Sequence, residues 1–330
     1  MKKTPAAFTQ MQADLSRALP DWGLSPRAEV SFLSHSENTT FAVADPDADR
    51  RLVLRVHRTG YHTADEILSE LSWILSVIAG RIIETPCPVP NKSGQLLHLV
   101  ELDGLARHVV AFEHMSGEAP SEFDNLTTWF KTLGALTARL HLHSRQWIRP
   151  SQFRRKTWDF NAMLGCRPLW GDWRAAQGLT DEGERILRAT AGLLERRLAA
   201  YGQDGGKFGL IHADLRLANL LVDQDRLGII DFDDCGLSWF FYDFAAAISF
   251  MEDQPIVPAL QDSWLDGYRT VTNVSADDAR MLPTFIMLRR MLLTAWIASH
   301  SDTETACALG PAYTDRTIAM ADDFLHAPPG

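Results

Sequence analysis

Paired cysteines are missing from this 330-residue chain. Cys87, Cys166, Cys235 and Cys307 stand far apart, without the close spacing of a zinc or redox site or the density of a disulfide scaffold. A cytoplasmic setting is therefore expected. Positive charge is also scarce: 32 Lys and Arg against 42 Asp and Glu leave a net charge of −10. That argues against a nucleic-acid partner, because backbone binding needs clustered cations. Cationic or neutral small substrates suit such a surface better. No apolar run is long enough to span a membrane uncharged, since the two most apolar stretches are broken by Asp243 and by Arg289-Arg290. The start, Met1-Lys2-Lys3-Thr4-Pro5, runs into the polar stretch Phe8 to Asp14 rather than an apolar signal core, so neither secretion nor a membrane role is expected. Internal repeats and low-complexity tracts are absent too. What remains, 46% hydrophobic and 22% charged residues, is an ordinary globular balance, and the length suits about two domains.

Residues Pro5 to Leu19 carry an apolar stripe and stop at Pro20-Asp21-Trp22-Gly23, which predicts a leading helix and sets 1–27 apart as a helical extension. Strand patterns follow at Val30–Leu33, Thr39–Val43 and Arg51–His57, with Asp45-Pro46-Asp47 as a turn. After Thr63-Ala64-Asp65 as an N-cap region, Ile67, Leu71, Ile74, Leu75 and Ile78 recur at helical spacing. Two more strands are expected at Gln95–Val100 and Arg107–Phe112, closing a first domain over 28–113. The second, 114–330, reads as mainly helical. A long helix runs from about Phe123 to His143, a structured loop from Trp158 to Trp173, and further helices over 181–201, 240–251, 258–268 and 277–299, with a last one near the C-terminus.

The most informative stretch runs His212-Ala213-Asp214-Leu215-Arg216-Leu217-Ala218-Asn219, then two short apolar runs interrupted by Asp223-Gln224-Asp225-Arg226, then Asp231-Phe232-Asp233-Asp234. The interruption predicts a hairpin that brings Asn219 at its start close to Asp231 at its end. Two oxygen ligands then converge, a donor set suited to hard Mg²⁺. Asp214, on the preceding loop, would face the same place.

This H-x-D-x-x-x-x-N pattern, with an acidic residue after a hairpin, resembles the catalytic loop of protein kinases. It is more closely similar to the aminoglycoside phosphotransferase and choline kinase superfamily, including homoserine-kinase-like and bacterial stress-response-kinase-like members. The resemblance implies an α+β, two-lobed protein-kinase-like fold, with a small antiparallel-sheet N-lobe carrying one main helix and a larger, mainly helical C-lobe. It further implies Asp214 as the catalytic carboxylate, His212 as a brace of the loop, and Asn219 and Asp231 as ligands of Mg²⁺. For Asp233, a metal or substrate role and a capping role stay open. Asp243 reads as an anchor of the loop, and His141 as a packed or capping histidine. No glycine follows Asp231-Phe232 as it does in protein kinases, and almost no room is left for an activation segment before the helix expected near Phe240.

By the same resemblance, Arg55 stands where a Lys grips the ATP phosphates. Glu70 stands where its ion-pair partner belongs, with Glu66 as rival. Arg for Lys is not a neutral exchange. The phosphate-covering loop would be Ser34-His35-Ser36-Glu37-Asn38-Thr39, which has no glycine, with Ser36 and Asn38 as phosphate contacts. The backbone of Glu113 and Met115 would meet adenine. ATP-dependent transfer to a hydroxyl of a small molecule is the implied activity, the acceptor being an amino alcohol, an amino acid such as homoserine, or an aminoglycoside-like compound. A nucleotide-sensing pseudokinase and a stress-response-type protein Ser/Thr kinase are the alternatives.

Overall fold

The computed structural model describes residues 5–36, 38–121, 124–301 and 303–327. Glu37 of the expected phosphate loop and Phe123 at the expected start of the long helix lie outside them. The chain divides into two units, 1–117 with 148–155, and 118–147 with 156–330.

In the first unit, helix α1 (Thr9–Ala18) precedes strands β1 (Glu29–His35), β2 (Thr39–Asp45) and β3 (Arg50–Val56), helix α2 (Ala64–Ala79), and strands β4 (Pro88–Val89), β5 (Leu97–Leu102) and β6 (Leu105–Glu113). The strands form one antiparallel sheet in the order β1-β2-β3-β6-β4, with β5 also on β6. Period-two alternation turns Phe41, Val43, Leu52 and Leu54 to one buried face, where Met11 and Leu15 of α1 join them with Leu19 and Trp22. The leading segment is thus part of this core. Helix α2 begins with a reciprocal capping box, in which the Glu66 N–H donates to Thr63 Oγ1 and the Thr63 N–H to the Glu66 carboxylate. Strand β4 is two residues long, too short to leave a pattern in the sequence.

The second unit holds helices α3 (Leu126–Gln146), α4 (Phe160–Met163) and α5 (Asp181–Tyr201). Strands β7 (Phe208–Ile211), β8 (Leu220–Asp223), β9 (Arg226–Ile229) and β10 (Gly236–Trp239) follow. Helices α6 (Tyr242–Ala247), α7 (Val257–Arg269), α8 (Ala276–Ser299) and α9 (Glu304–His326) complete it. Helices α3 and α7 approach at paired glycines. A Cβ on Gly134 would lie 2.0 Å from the Trp264 carbonyl oxygen, and one on Gly267 would lie 1.8 Å from that of Lys131, so only glycine allows this contact. Strands β7 and β10, four residues each, pair antiparallel and were not legible in the sequence.

The helix expected over 240–251 is shorter than the apolar run suggested. Ser249 Oγ donates to the Ala246 carbonyl at 2.7 Å and Phe250 adopts a left-handed φ of 70°, which ends α6 early. Helix α8 is long and apolar enough to cross a membrane by length and composition, but 72% of its most apolar window is buried inside the protein. It also carries Pro283, Arg289 and Arg290, so it reads as a core helix. No two of the four cysteines are joined by a disulfide.

Candidate active site

In the second unit, the turn between β8 and β9 is two residues, with Gln224 at φ 58° and Asp223 paired to Arg226. Its register sets Leu220 opposite Ile229, and the Ile230 N–H donates to the Asn219 carbonyl at 2.9 Å. The start and the end of the hairpin therefore meet. Asn219 Nδ2 donates to both the carbonyl and Oδ2 of Asp214 at 2.8 Å. Asp231 is exposed at φ 62°, and Asp233 is buried just beyond it.

Asp214 is held from two more sides. Arg216 Nε donates to Oδ2 at 3.2 Å, and Arg289 Nη2 of α8 donates to Oδ1 at 2.7 Å. Burial works to raise the Asp214 carboxyl, but the Arg216 and Arg289 guanidiniums hold it below the ordinary carboxylate range. It is therefore ionised at neutral pH. Neither arginine was singled out from the sequence. Arg216 lies within the motif, whereas Arg289 registered only as a break in an apolar run.

A buried hydrogen-bond network fixes the loop. The Asp214 N–H donates to His212 Nδ1 at 3.3 Å, which makes His212 Nε2 the donor to the Ile230 carbonyl at 3.1 Å. Both ring nitrogens thus hold backbone, so His212 braces the loop. Asp243 accepts from the N–H groups of His212 at 3.2 Å and Ala213 at 2.7 Å, and from His141 Nε2 at 3.0 Å. His141 Nδ1 in turn pairs with the Tyr268 hydroxyl at 3.0 Å. This network holds Ala213 at a φ of 67°, a conformation that costs a non-glycine residue about 1–3 kcal/mol unless its surroundings impose it.

The same burial gives the fold a pH dependence. Desolvation lowers the pKa of His141 against the opposing pull of Asp243, and lowers that of His212 in the same way. A histidine whose pKa is depressed on folding binds its proton more tightly when unfolded. Its contribution is therefore complete above the ordinary value of 6.5 and is lost as pH falls below it. Glu252 works in the opposite sense, because burial raises its pKa above 4.5 and protonation then favours the folded state. The His141 share is isolated by comparison with His141→Gln. On acidification below pH 6.5, wild-type stability is expected to fall more steeply than that of the variant, by up to about 1.4 kcal/mol per pH unit. Equal slopes in urea unfolding would contradict this.

In the first unit, Arg55 lies on β3 between β2 and β6, so it is an interior residue, 4% exposed. Its Nη2 reaches both Glu70 oxygens, at 2.7 and 2.8 Å, and its guanidinium lies 5.1 Å from the Phe112 ring centroid. Glu66 is engaged in the α2 cap instead, and Glu70 is the partner. Glu70→Ala removes the carboxylate from a fully buried pair and is expected to cost about 3–5 kcal/mol in chemical denaturation.

Ser36 and Asn38 sit in the β1–β2 turn, where the Ser36 N–H donates to the Asn38 carbonyl at 3.0 Å and Asn38 Oδ1 accepts from the Arg58 N–H at 3.2 Å. The Glu113 N–H donates to the Cys87 carbonyl at 2.9 Å, and its carboxylate pairs with Arg50. Any adenine contact by Glu113 must use another atom. Met115 follows the end of β6.

The family described as the phosphotransferase enzyme family matches residues 29–281. A solved structure of a microcompartment-associated aminopropanol kinase is 41% identical, with a TM-score of 0.87 over 94% of this chain and 96% of that one. An amicoumacin kinase solved with AMP-PNP and Ca²⁺ superimposes with a TM-score of 0.78 at 22% identity, over 96% of this chain and 95% of the other. A homoserine kinase of Methylobacillus glycogenes is 27% identical over 335 residues, covering 96% of this chain and 94% of the relative. The antiparallel sheet and helical parts match those of these kinase-like structures.

Proposed function

This chain belongs to the phosphotransferase enzyme family, and from that membership we propose that it transfers the γ-phosphoryl group of ATP to the hydroxyl of a small amino alcohol. The observation that carries this reading is the Asp214 carboxylate, 13% exposed and held by Asn219, Arg216 and Arg289. In this mechanism the acceptor oxygen forms a bond to the γ-phosphorus. Its proton passes to Asp214, and the bond from the γ-phosphorus to the bridging oxygen breaks to release ADP. Positioning and charge neutralisation supply most of the rate.

Asn219, Asp231 and Asp233 are assigned to a divalent cation, magnesium in this reading. The donor set fits: Asn219 spends its N–H on Asp214, which leaves Oδ1 as its metal-binding atom, and the two aspartates add carboxylate oxygens. When bound, such an ion offsets the charge on the transferring phosphate. Nucleotide binding is assigned to 28–113, with Arg55, held by Glu70, as the phosphate cation, Ser36 and Asn38 at the phosphate loop, and Glu113 and Met115 at adenine. The AMP-PNP and Ca²⁺ bound to the amicoumacin kinase support nucleotide and divalent-metal use.

The likeness to an aminopropanol kinase supports an amino alcohol as acceptor, and the net charge of −10 favours cationic over anionic substrates. A cytoplasmic setting accords with four cysteines that form no disulfide. The test is ADP release from magnesium-ATP across aminopropanol, ethanolamine, choline, homoserine and an aminoglycoside. Release with aminopropanol or ethanolamine is expected. Release confined to homoserine or the aminoglycoside, or release with none of the five, would overturn the proposal.

A further inference from the structure

The buried guanidinium of Arg289 is a group that the phosphoryl-transfer chemistry does not itself require. It lies 75 residues from Asp214 in sequence, on the core helix α8, with its side chain 2% exposed. A buried cation is costly unless every donor finds a partner. Here two of the partners, Asp214 and Ala213, lie on the loop before Asn219. Nη2 donates to Asp214 Oδ1 at 2.7 Å, and Nη1 donates at 3.4 Å to both the Ala213 carbonyl and the Tyr242 hydroxyl. Nε donates to Ser249 Oγ at 2.9 Å, and the Trp170 ring centroid lies 5.3 Å from the guanidinium carbon. The next residue, Arg290, is fully buried and ties Glu252, Thr317 and the Tyr313 carbonyl together, so α8 cannot easily rotate to take Arg289 elsewhere.

The two Asp214 oxygens are not equivalent. Oδ2 accepts from Asn219 and Arg216, while Oδ1 accepts from Arg289. An ionised carboxylate has about four acceptor sites. Three are filled by side-chain donors, and the remaining one is on Oδ1, beside the guanidinium. We propose that Arg289 is a positioning residue for the transfer, fixing the Asp214 carboxylate so that Oδ1 is the oxygen that meets the acceptor hydroxyl. This rests on the assignment of Asp214 as the catalytic carboxylate. During transfer the hydroxyl proton goes to Oδ1 as the acceptor oxygen bonds to phosphorus and ADP departs. Arg289 keeps its own protons and holds the carboxylate in line. Lys cannot replace it fully, because an ammonium cannot span Asp214, Ala213 and Ser249 in one plane.

The test uses the full chain as wild type, Asp214→Asn, Arg289→Lys and Arg289→Gln, with magnesium-ATP and aminopropanol. A crystal structure of Arg289→Gln, or of Arg289→Lys if the Gln variant does not fold, is added. Arg289→Gln is expected to lower kcat about a hundredfold with the KM for ATP nearly unchanged, the size of loss that a small misplacement of a reacting group produces. Arg289→Lys should lose less. In the crystal the Asp214 carboxylate should be rotated away from its wild-type direction. A carboxylate that keeps its direction and its Asn219 bond overturns the inference, as does kcat within a few-fold of wild type in both variants. A loss on the order of 10²–10⁴ at Asp214→Asn with no loss at Arg289 overturns this inference alone. Wild-type turnover by Asp214→Asn overturns it together with the catalytic assignment beneath it.

Discussion

Asp214→Asn is expected to reduce phosphoryl transfer by a factor on the order of 10²–10⁴, the usual contribution of a positioned proton acceptor. Nucleotide affinity should change little. The loss has two sources. An amide cannot take up the acceptor proton as a carboxylate does. Nor can it satisfy its neighbours, because Arg289 donates to one oxygen while Asn219 and Arg216 donate to the other. An asparagine must turn an NH₂ group toward one of those sets of donors, so either the Arg289 contact or the Asn219 contact becomes donor against donor. Steady-state ADP release at saturating substrates, beside nucleotide titration by calorimetry, reads the two effects separately. A variant with wild-type kcat would remove Asp214 from the chemistry.

Asp243→Ala is expected to damage both stability and turnover without touching a reacting atom. Asp243 accepts three donors in a fully buried place, the N–H groups of His212 and Ala213 and the ring of His141. Removing the carboxylate leaves all three without this partner, and each unsatisfied buried donor costs about 1–3 kcal/mol. Relief of a buried charge offsets part of that, so a net loss of about 3 kcal/mol in urea unfolding is expected. Turnover should fall as well, because Ala213 is held at positive φ immediately before Asp214 and loses the bond on its own N–H. A drop of about a hundredfold in kcat would match loss of positioning. Asp243→Asn keeps one acceptor oxygen and should fall between wild type and Asp243→Ala in both measurements. A stable Asp243→Ala variant with normal turnover would show that the loop holds its conformation without the anchor.

Much of the site was legible because its parts are close in sequence. The five-residue step from Asp214 to Asn219 and the two-residue turn after Asp223 define local geometry that tertiary packing need only preserve. The strands around Arg55 and helix α2 were legible for a related reason. Their apolar alternation and the Thr63–Glu66 cap act within a few residues. What escaped detection is non-local or short. Strands β4, β7 and β10 are too brief for a period to register, and their pairing partners are distant in the chain. The end of α6 is decided by Ser249 and Phe250 within a run that otherwise reads as continuous helix. Arg289 and Arg290 did carry a signal. Two adjacent cations in an apolar helix demand buried partners, but periodicity cannot name a carboxylate 75 residues away.

Phosphorus NMR of the full chain with magnesium-ATP and amino alcohols, aminopropanol among them, follows both products of the proposed transfer at once. Wild-type protein should convert ATP to ADP with matching growth of a phosphate monoester of the acceptor, and Asp214→Asn should form both on the order of 10²–10⁴-fold more slowly. ADP accompanied only by inorganic phosphate, or no ADP with any acceptor, would contradict the proposed transfer.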